Sequence, residues 1–214
     1  MSRFTILLGG DFALTPRAEA QIAESRVIAA DSGIRHAGAL GVLPELWVGD
    51  FDSVPESLIA DWPQVPREVF PAGKDHTDGE LAVAAALQRG AGNLVLAGAF
   101  GGARADHEHL HLALAIRLAE AGTPVILTSG SQEGLPLLPG AHRPDYGDGT
   151  LFSILGFSDL TGLTVNGARW PLDRVEVPFG SSLTISNEVR GRLSIELGSG
   201  RALLLAHPHP AEGF

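Results

Sequence analysis

The sequence predicts an α/β protein, with an N-terminal parallel-sheet α/β (Rossmann-like) domain over residues 1–129 and a small C-terminal all-β sandwich domain over 134–214. Three observations carry this. Up to about Ser129, short apolar runs alternate with amphipathic helical segments, the pattern of β-α units around a parallel sheet. Acids and glycines cluster where these runs end, as expected of an open α/β sheet that binds ligands at the carboxyl ends of its strands. Beyond the polar linker Ser129-Gly130-Ser131-Gln132-Glu133-Gly134, the helical period is lost and short strands recur among frequent Gly and Pro.

Phe4–Leu8 reads as the first strand, ending in Gly9-Gly10-Asp11. Thr15 then caps a helix that has Pro16 at its first position. Val27–Ala30 is the next strand, followed by Asp31-Ser32-Gly33 and a short helix over Ile34–Leu40. Leu46–Val48 is a strand, Glu56–Trp62 a helix and Glu68–Phe70 a weaker strand. Thr77–Arg89 reads as a helix with an apolar face of Leu81, Ala84, Ala85 and Leu87, stopped by Gly90. Asn93–Ala97 is a strand ending in a glycine-rich turn, Ala105–Ala121 the longest helix, and Thr123–Leu127 the last strand of the set. In the second half, strands are expected over Thr150–Leu155, Leu163–Val165, Arg174–Val177, Leu183–Ile185, Arg192–Leu197 and Ala202–Ala206. Their exposed edges are natural surfaces for dimerisation.

The chain has 214 residues, 44% of them hydrophobic, enough to build a sizeable core. A net charge of -10 argues against non-specific binding to nucleic acid or an anionic membrane. A phosphorylated ligand would then need a local cation. The lack of cysteine removes disulfides, thiolate nucleophiles and Cys-based zinc sites. The N-terminus reads as a strand rather than a signal segment, and no apolar run reaches the ~18 residues of a membrane span. A soluble cytoplasmic protein is expected.

The stretch Val48-Gly49-Asp50-Phe51-Asp52-Ser53 leaves a buried strand with two carboxylates one residue apart. Side chains at i and i+2 of an extended chain point the same way, so Asp50 and Asp52 are expected to converge on one hard cation such as Mg²⁺. The plainer reading is an Asx-turn at Asp50 and a helix cap at Asp52. In Gly73-Lys74-Asp75-His76-Thr77-Asp78, helix capping accounts for the acids but not for the lysine beside them. Carboxylates for a metal and an ammonium for phosphoryl oxygens are the needs of a Mg²⁺-nucleotide site. Gly101-Gly102-Ala103-Arg104-Ala105-Asp106-His107 opens the longest helix, exposing backbone N–H groups and offering Arg104 to phosphate. His107 and His111 share a helix face that His109 does not, which makes a three-histidine zinc site poor.

These motifs, with Glu80-Leu81-Ala82 after Asp78, resemble in order and spacing those of the thiamine pyrophosphokinase family. The second half is similar too, in Gly162-Leu163, Trp170-Pro171-Leu172, Phe179-Gly180-Ser181-Ser182 and Ile185-Ser186-Asn187-Glu188. The resemblance implies an enzyme that moves the terminal pyrophosphoryl unit of ATP to the hydroxyl of thiamine, giving thiamine diphosphate and AMP. It implies a homodimer in which thiamine lies between one subunit's catalytic domain and the other's β domain. Carried onto this chain, Asp50, Asp52, Asp75 and Asp78 form the catalytic set and hold Mg²⁺, with one or both of the last two touching it. Asp31, Lys74, Arg104, Asp106 and His107 bind the nucleotide. Trp170 stacks on the aminopyrimidine of thiamine, which Ser186 and Asn187 hydrogen-bond. Either Asp52 or Asp78 takes the hydroxyl proton. His111 stands where similar chains usually carry Asn, so nucleotide affinity is expected to vary with pH near neutrality if this position touches the nucleotide. The competing readings are another Mg²⁺-dependent phosphohydrolase or nucleotidyltransferase, and a non-catalytic thiamine- or nucleotide-binding module.

Overall fold

The computed structural model describes residues 2–208 apart from Ser53 and Lys74. The fold is mixed α/β and gathers into two compact units. The first comprises the described residues up to Leu114 with Thr123–Gly130, and the second Ala115–Gly122 with the described residues from Ser131 onward.

The first unit holds β1 (Ser2–Leu7), α1 (Pro16–Ile22), β2 (Arg26–Ala30), a 3-10 turn (Asp31–Ile34), α2 (Arg35–Leu40), β3 (Leu46–Gly49), α3 (Glu56–Asp61) and β4 (Arg67–Val69). It continues with α4 (Asp78–Gln88), β5 (Ala91–Ala97), the first turns of α5 (Ala105–Glu120) and β6 (Val125–Thr128). Every strand pair is parallel, in the order β6-β5-β1-β2-β3-β4. Parallel strands covered on both faces need apolar side chains on both, and all four residues of β3, Leu46-Trp47-Val48-Gly49, are buried. Leu7, Ala29, Ile34, Trp47, Val54 and Ala97 share one core cluster.

Local chemistry sets the helix starts. Thr15 Oγ1 accepts from Ala18 N (3.2 Å), with Pro16 in the first turn. Thr77 forms a capping box with Glu80: its hydroxyl accepts from Glu80 N (3.3 Å) and its own N–H donates to Glu80 Oε2 (3.2 Å). This box fixes where α4 begins, and so where Asp78 lies. Of the face expected to be buried on α4, only Ala85 is. Gly79, Ala82, Val83, Ala85 and Ala86 are buried, whereas Ala84 and Leu87 are exposed. Small residues let the helix pack against the sheet at β1, β2, β3 and β5, and the longer leucines turn outward.

The second unit is antiparallel. Its strands are β7 (Glu133–Leu137), β8 (Gly140–His142), β9 (Leu151–Gly156), β10 (Leu160–Ala168), β11 (Leu172–Val177), β12 (Asn187–Leu197) and β13 (Ala202–His207). β13 pairs β7 and β9; β10 pairs β11 and β12; and β12 also pairs β8, and meets β9 at Asn187 and Glu188. Leu137, Phe152, Ile154, Leu163, Val189 and Leu204 lie in its core. Two expectations fail here. Leu183–Ile185 is a turn, in which Ile185 N–H donates back to Ser182 O (3.1 Å) and Ser186 follows at φ 61°. Glu133-Gly134, expected in the linker, begins β7. Among the described residues, no helix is long and apolar enough to cross a membrane.

Gly33 packs tightly near the ligand end of the sheet, because a Cβ there would collide with the carbonyl oxygen of Leu7. Gly33→Ala is therefore expected to lower unfolding free energy by about 2–3 kcal/mol in urea titration. A midpoint equal to wild type would contradict this packing.

Candidate active site

Strand order reverses at β1, whose neighbours β2 and β5 carry the chain in opposite directions across the sheet. The carboxyl ends of strands at such a point form a natural crevice. A cleft of about 360 Å³ lies there, within the range of small-ligand sites. Its walls come from Gly9 and Gly10 after β1, Asp31 and Ser32 after β2, Asp78 and Gly79 at the start of α4, and Gly101–Arg104 before α5.

Asp31, Asp50 and Asp78 each place a carboxylate oxygen within 4.8 Å of the others, and all three are half-buried. The Oδ1 atoms of Asp31 and Asp78 are withdrawn from solvent. Three anionic groups this close repel one another in a poorly screened setting, and a hard cation relieves that repulsion. The oxygen donor set fits Mg²⁺. Trp47 organises the cluster: its indole N–H donates to the Asp31 carbonyl (2.7 Å), and its ring meets Phe51 edge-on at 4.9 Å. Asp31 (φ 45°) and Phe51 (φ 62°) both adopt left-handed backbone, the kind of strain that gathers at functional sites.

The expected convergence of Asp50 and Asp52 does not occur in that form. Left-handed Phe51 ends the extended run after Gly49, so the same-side rule for i and i+2 no longer holds. Asp52 is exposed, and its N–H donates to Asp50 Oδ1 (3.3 Å), the Asx-turn of the plainer reading. Asp31, expected among nucleotide ligands, lines the cleft and also joins Asp50 and Asp78. Asp75 is exposed in the loop before α4 and outside the cluster. Lys74 lies outside the described residues.

Arg104 and His107 line the cleft; both are exposed. Arg104 donates through Nε (2.9 Å) and Nη2 (2.6 Å) to both oxygens of Asp106, a bidentate pair that pulls the Asp106 carboxyl well below the usual carboxylate range. Gly101 N–H, expected to face a ligand, donates instead to Glu108 Oε2 (3.0 Å). Glu108 and Arg35 also line the cleft and were not anticipated. Neither carries a clear sequence signal, because Glu108 lies among helix-face residues and Arg35 follows Asp31-Ser32-Gly33 without forming a pattern of its own.

In the second unit, Trp170 is 54% exposed, with the Arg169 guanidinium 4.8 Å above its ring. Asn187 is buried, and its amide is engaged with main chain. Its Oδ1 accepts from Trp170 N (3.1 Å) and Glu188 N (2.8 Å), while Nδ2 donates to Trp170 O (2.8 Å). Ser186 is exposed and left-handed, its N–H donating to Ser153 Oγ (3.0 Å).

A cleft at the carboxyl end of a parallel sheet, with three converging carboxylates and two arginines, defines an α/β protein equipped for a cation and an anionic ligand together. Residues 19–127 match the thiamin pyrophosphokinase catalytic domain, and residues 142–201 match the vitamin B1 binding domain of thiamin pyrophosphokinase. The chain belongs to the thiamin pyrophosphokinase family, a family of enzymes. It is 29% identical over 206 residues to the thiamine pyrophosphokinase of Bacillus subtilis (strain 168), covering 92% of this chain and 96% of that one. The crystal structure of thiamine pyrophosphokinase from Bacillus subtilis superposes with a TM-score of 0.84 at 25% identity, over 96% of this chain and 99% of that chain. That from Geobacillus thermodenitrificans gives 0.76 at 25% identity, over 97% of each. The Candida albicans enzyme, at 13% identity, shares the fold with a TM-score of 0.79, over 95% of this chain and 89% of that chain.

His111 lines the cleft, with its Nδ1–H donating to the Ala99 carbonyl (3.0 Å). Burial pushes its pKa below the usual 6.5, as it does that of His36. The imidazole is thus neutral at neutral pH, and the expected pH-dependence of affinity near neutrality loses its basis. The consequence falls on stability instead. Below 6.5 the unfolded chain takes up protons that the folded His111 refuses, so stability falls as pH falls. His111→Asn, which retains a donor for Ala99 O, is expected to lose less stability than wild type between about pH 7 and about pH 5. Urea midpoints at the two pH values measure this, and equal losses would contradict it.

Proposed function

We propose that this chain transfers the terminal pyrophosphoryl unit of ATP to the hydroxyl of thiamine, giving thiamine diphosphate and AMP. The observation that carries this reading is the convergence of Asp31, Asp50 and Asp78 at an arginine-lined cleft whose wall includes Asp31 and Asp78, in a chain matched across both halves by the family's domains. The new bond joins the thiamine oxygen to the β-phosphorus. The bond from that phosphorus to the oxygen bridging the α-phosphate breaks, and AMP departs with the bridging oxygen.

Asp31, Asp50 and Asp78 are the residues that would hold Mg²⁺, with Asp75 in the adjoining loop and Lys74, its neighbour in sequence, completing the nucleotide shell. The ion, when bound, supplies charge neutralisation to the triphosphate. Asp106 sets the plane of the Arg104 guanidinium, and Arg104 and His107 meet phosphate oxygens from the α5 side. With Asp78 committed to the triad, Asp52 is the carboxylate left to accept the hydroxyl proton. Trp170 offers an exposed indole to the aminopyrimidine, and Ser186 offers its hydroxyl. Asn187 acts one step back, pinning the Trp170 main chain so that the indole is presented in one place.

On this reading the first unit is a Rossmann-like nucleotide domain, spanning residues 1–129 at its widest, and the second, from residue 134, a thiamine-binding β-sandwich. The enzyme works in the cytoplasm as a homodimer with shared thiamine sites. Support for dimerisation comes from exposed Trp170, Phe179, Leu183 and Ile185 in the second unit. The net charge of -10 speaks against nucleic acid or membrane as a partner.

Incubating the protein with Mg²⁺, ATP and thiamine is expected to yield thiamine diphosphate and AMP in equal amounts by chromatography. Asp50→Asn should cut turnover by about 100-fold or more. Formation of ADP alone, or release of phosphate without thiamine diphosphate, would overturn the reading in favour of a kinase of another kind or a phosphohydrolase.

A further inference from the structure

We infer that Arg35 binds the β- and γ-phosphoryl oxygens of the nucleotide, as a fixed cation beside the carboxylate triad. This deepens the pyrophosphoryl-transfer reading and rests on it. The 3-10 turn Asp31–Ile34 carries the chain from the triad directly into Arg35, at the start of α2. There the guanidinium lines the cleft and lies against the loop that leaves β1. Its Nη2 donates to the carbonyls of Gly9 (2.6 Å) and Gly10 (2.8 Å). His36, neutral because burial lowers its pKa, donates from Nε2 to the same Gly10 carbonyl (3.0 Å).

Both Nη2 hydrogens are used in this anchorage, which leaves three of the five guanidinium donors, one on Nε and two on Nη1. Among the described residues these three have no acceptor, and Arg35 makes no ion pair. Carbonyl oxygens hold the group in place without neutralising it. The contrast with Arg104 is direct, because the fork of that guanidinium is occupied by Asp106. Arg35 is therefore the arginine of the cleft whose position is set by neutral groups and whose charge is offset by no ion pair among the described residues. A cation already held in place loses little freedom on meeting a phosphate. Its chain proximity to Asp31 puts it at the metal-bearing end of the triphosphate, the part that AMP lacks.

The test uses the intact protein with Mg²⁺ and two probes, AMP and the α,β-methylene analogue of ATP, which cannot release its pyrophosphoryl group. Arg35→Gln keeps an amide donor for the Gly9 and Gly10 carbonyls and removes the charge. By calorimetric titration it is expected to bind the analogue about 10–100-fold more weakly and AMP within about twofold of wild type. Arg35→Lys, which restores the charge, should recover part of the loss, with thermal unfolding confirming that both variants are folded. Unchanged affinity for the analogue in Arg35→Gln, or equal weakening toward both nucleotides, would overturn the inference and leave Arg35 as a support for the β1 loop. Should Arg35→Gln not fold, Arg35→Lys, which keeps the charge but loses the fork, is expected to bind the analogue more weakly than wild type and AMP equally well, and unchanged affinity for the analogue or equal weakening toward both overturns the inference. Failure of wild type itself to bind the analogue would instead overturn the transfer reading beneath.

Discussion

The site depends on one buried indole. Trp47 is fully buried in β3, donates to the Asp31 carbonyl and packs its ring edge against Phe51. It thereby ties the loop after β2 to the loop after β3, the two segments that bring Asp31 and Asp50 together. Left-handed backbone at Asp31 and Phe51 costs on the order of 1–3 kcal/mol each. The burial of an aromatic side chain of this size, with its N–H satisfied, is of the right order to offset that strain. Strain and anchor together hold two carboxylates close where mutual repulsion would otherwise part them.

The rest of the cleft is arranged to receive charge from outside. Thr77 and Glu80 fix the start of α4 and so add Asp78 to the pair. His36 and His111 stay neutral and serve as hydrogen-bond donors to main-chain carbonyls. Glycines at 9, 10, 101 and 102 keep the loops near the switch point close-packed, and a Cβ on Gly10 would meet the carbonyls of Gly98 and Phe100. Few of these groups act on a ligand directly; they hold those that do.

Much of this could be read in the sequence. The β-α alternation, the strands ending in acids, and the Thr15 and Thr77 helix starts follow from local chemistry, and local chemistry decides them. What failed was whatever depended on a turn or on tertiary packing. The i, i+2 rule assumed that strand β3 ran on through Asp52, but Phe51 turns the chain there. Of the apolar face expected on α4, Leu81, Ala84, Ala85 and Leu87, only Ala85 is buried, because close approach to the sheet selects glycine, alanine and valine. Leu183–Ile185 has a strand's composition, yet its hydrogen bond to Ser182 makes it a turn. Asn187 has the chemistry of a ligand contact, and only the coordinates reveal that its amide grips the Trp170 main chain. Arg35 was invisible because a lone arginine after an Asp-Ser-Gly stretch forms no pattern; its meaning lies in the two carbonyls it reaches across the sheet.

The claim on which the account rests is that Asp31, Asp50 and Asp78 form one cation site whose repulsion the metal relieves. Thermal unfolding of wild type and Asp31→Asn, each with and without Mg²⁺, tests it most directly. Mg²⁺ is expected to raise the wild-type midpoint, and Asp31→Asn to start higher without the ion and gain little from it. Equal gains from Mg²⁺ in the two proteins would contradict the claim.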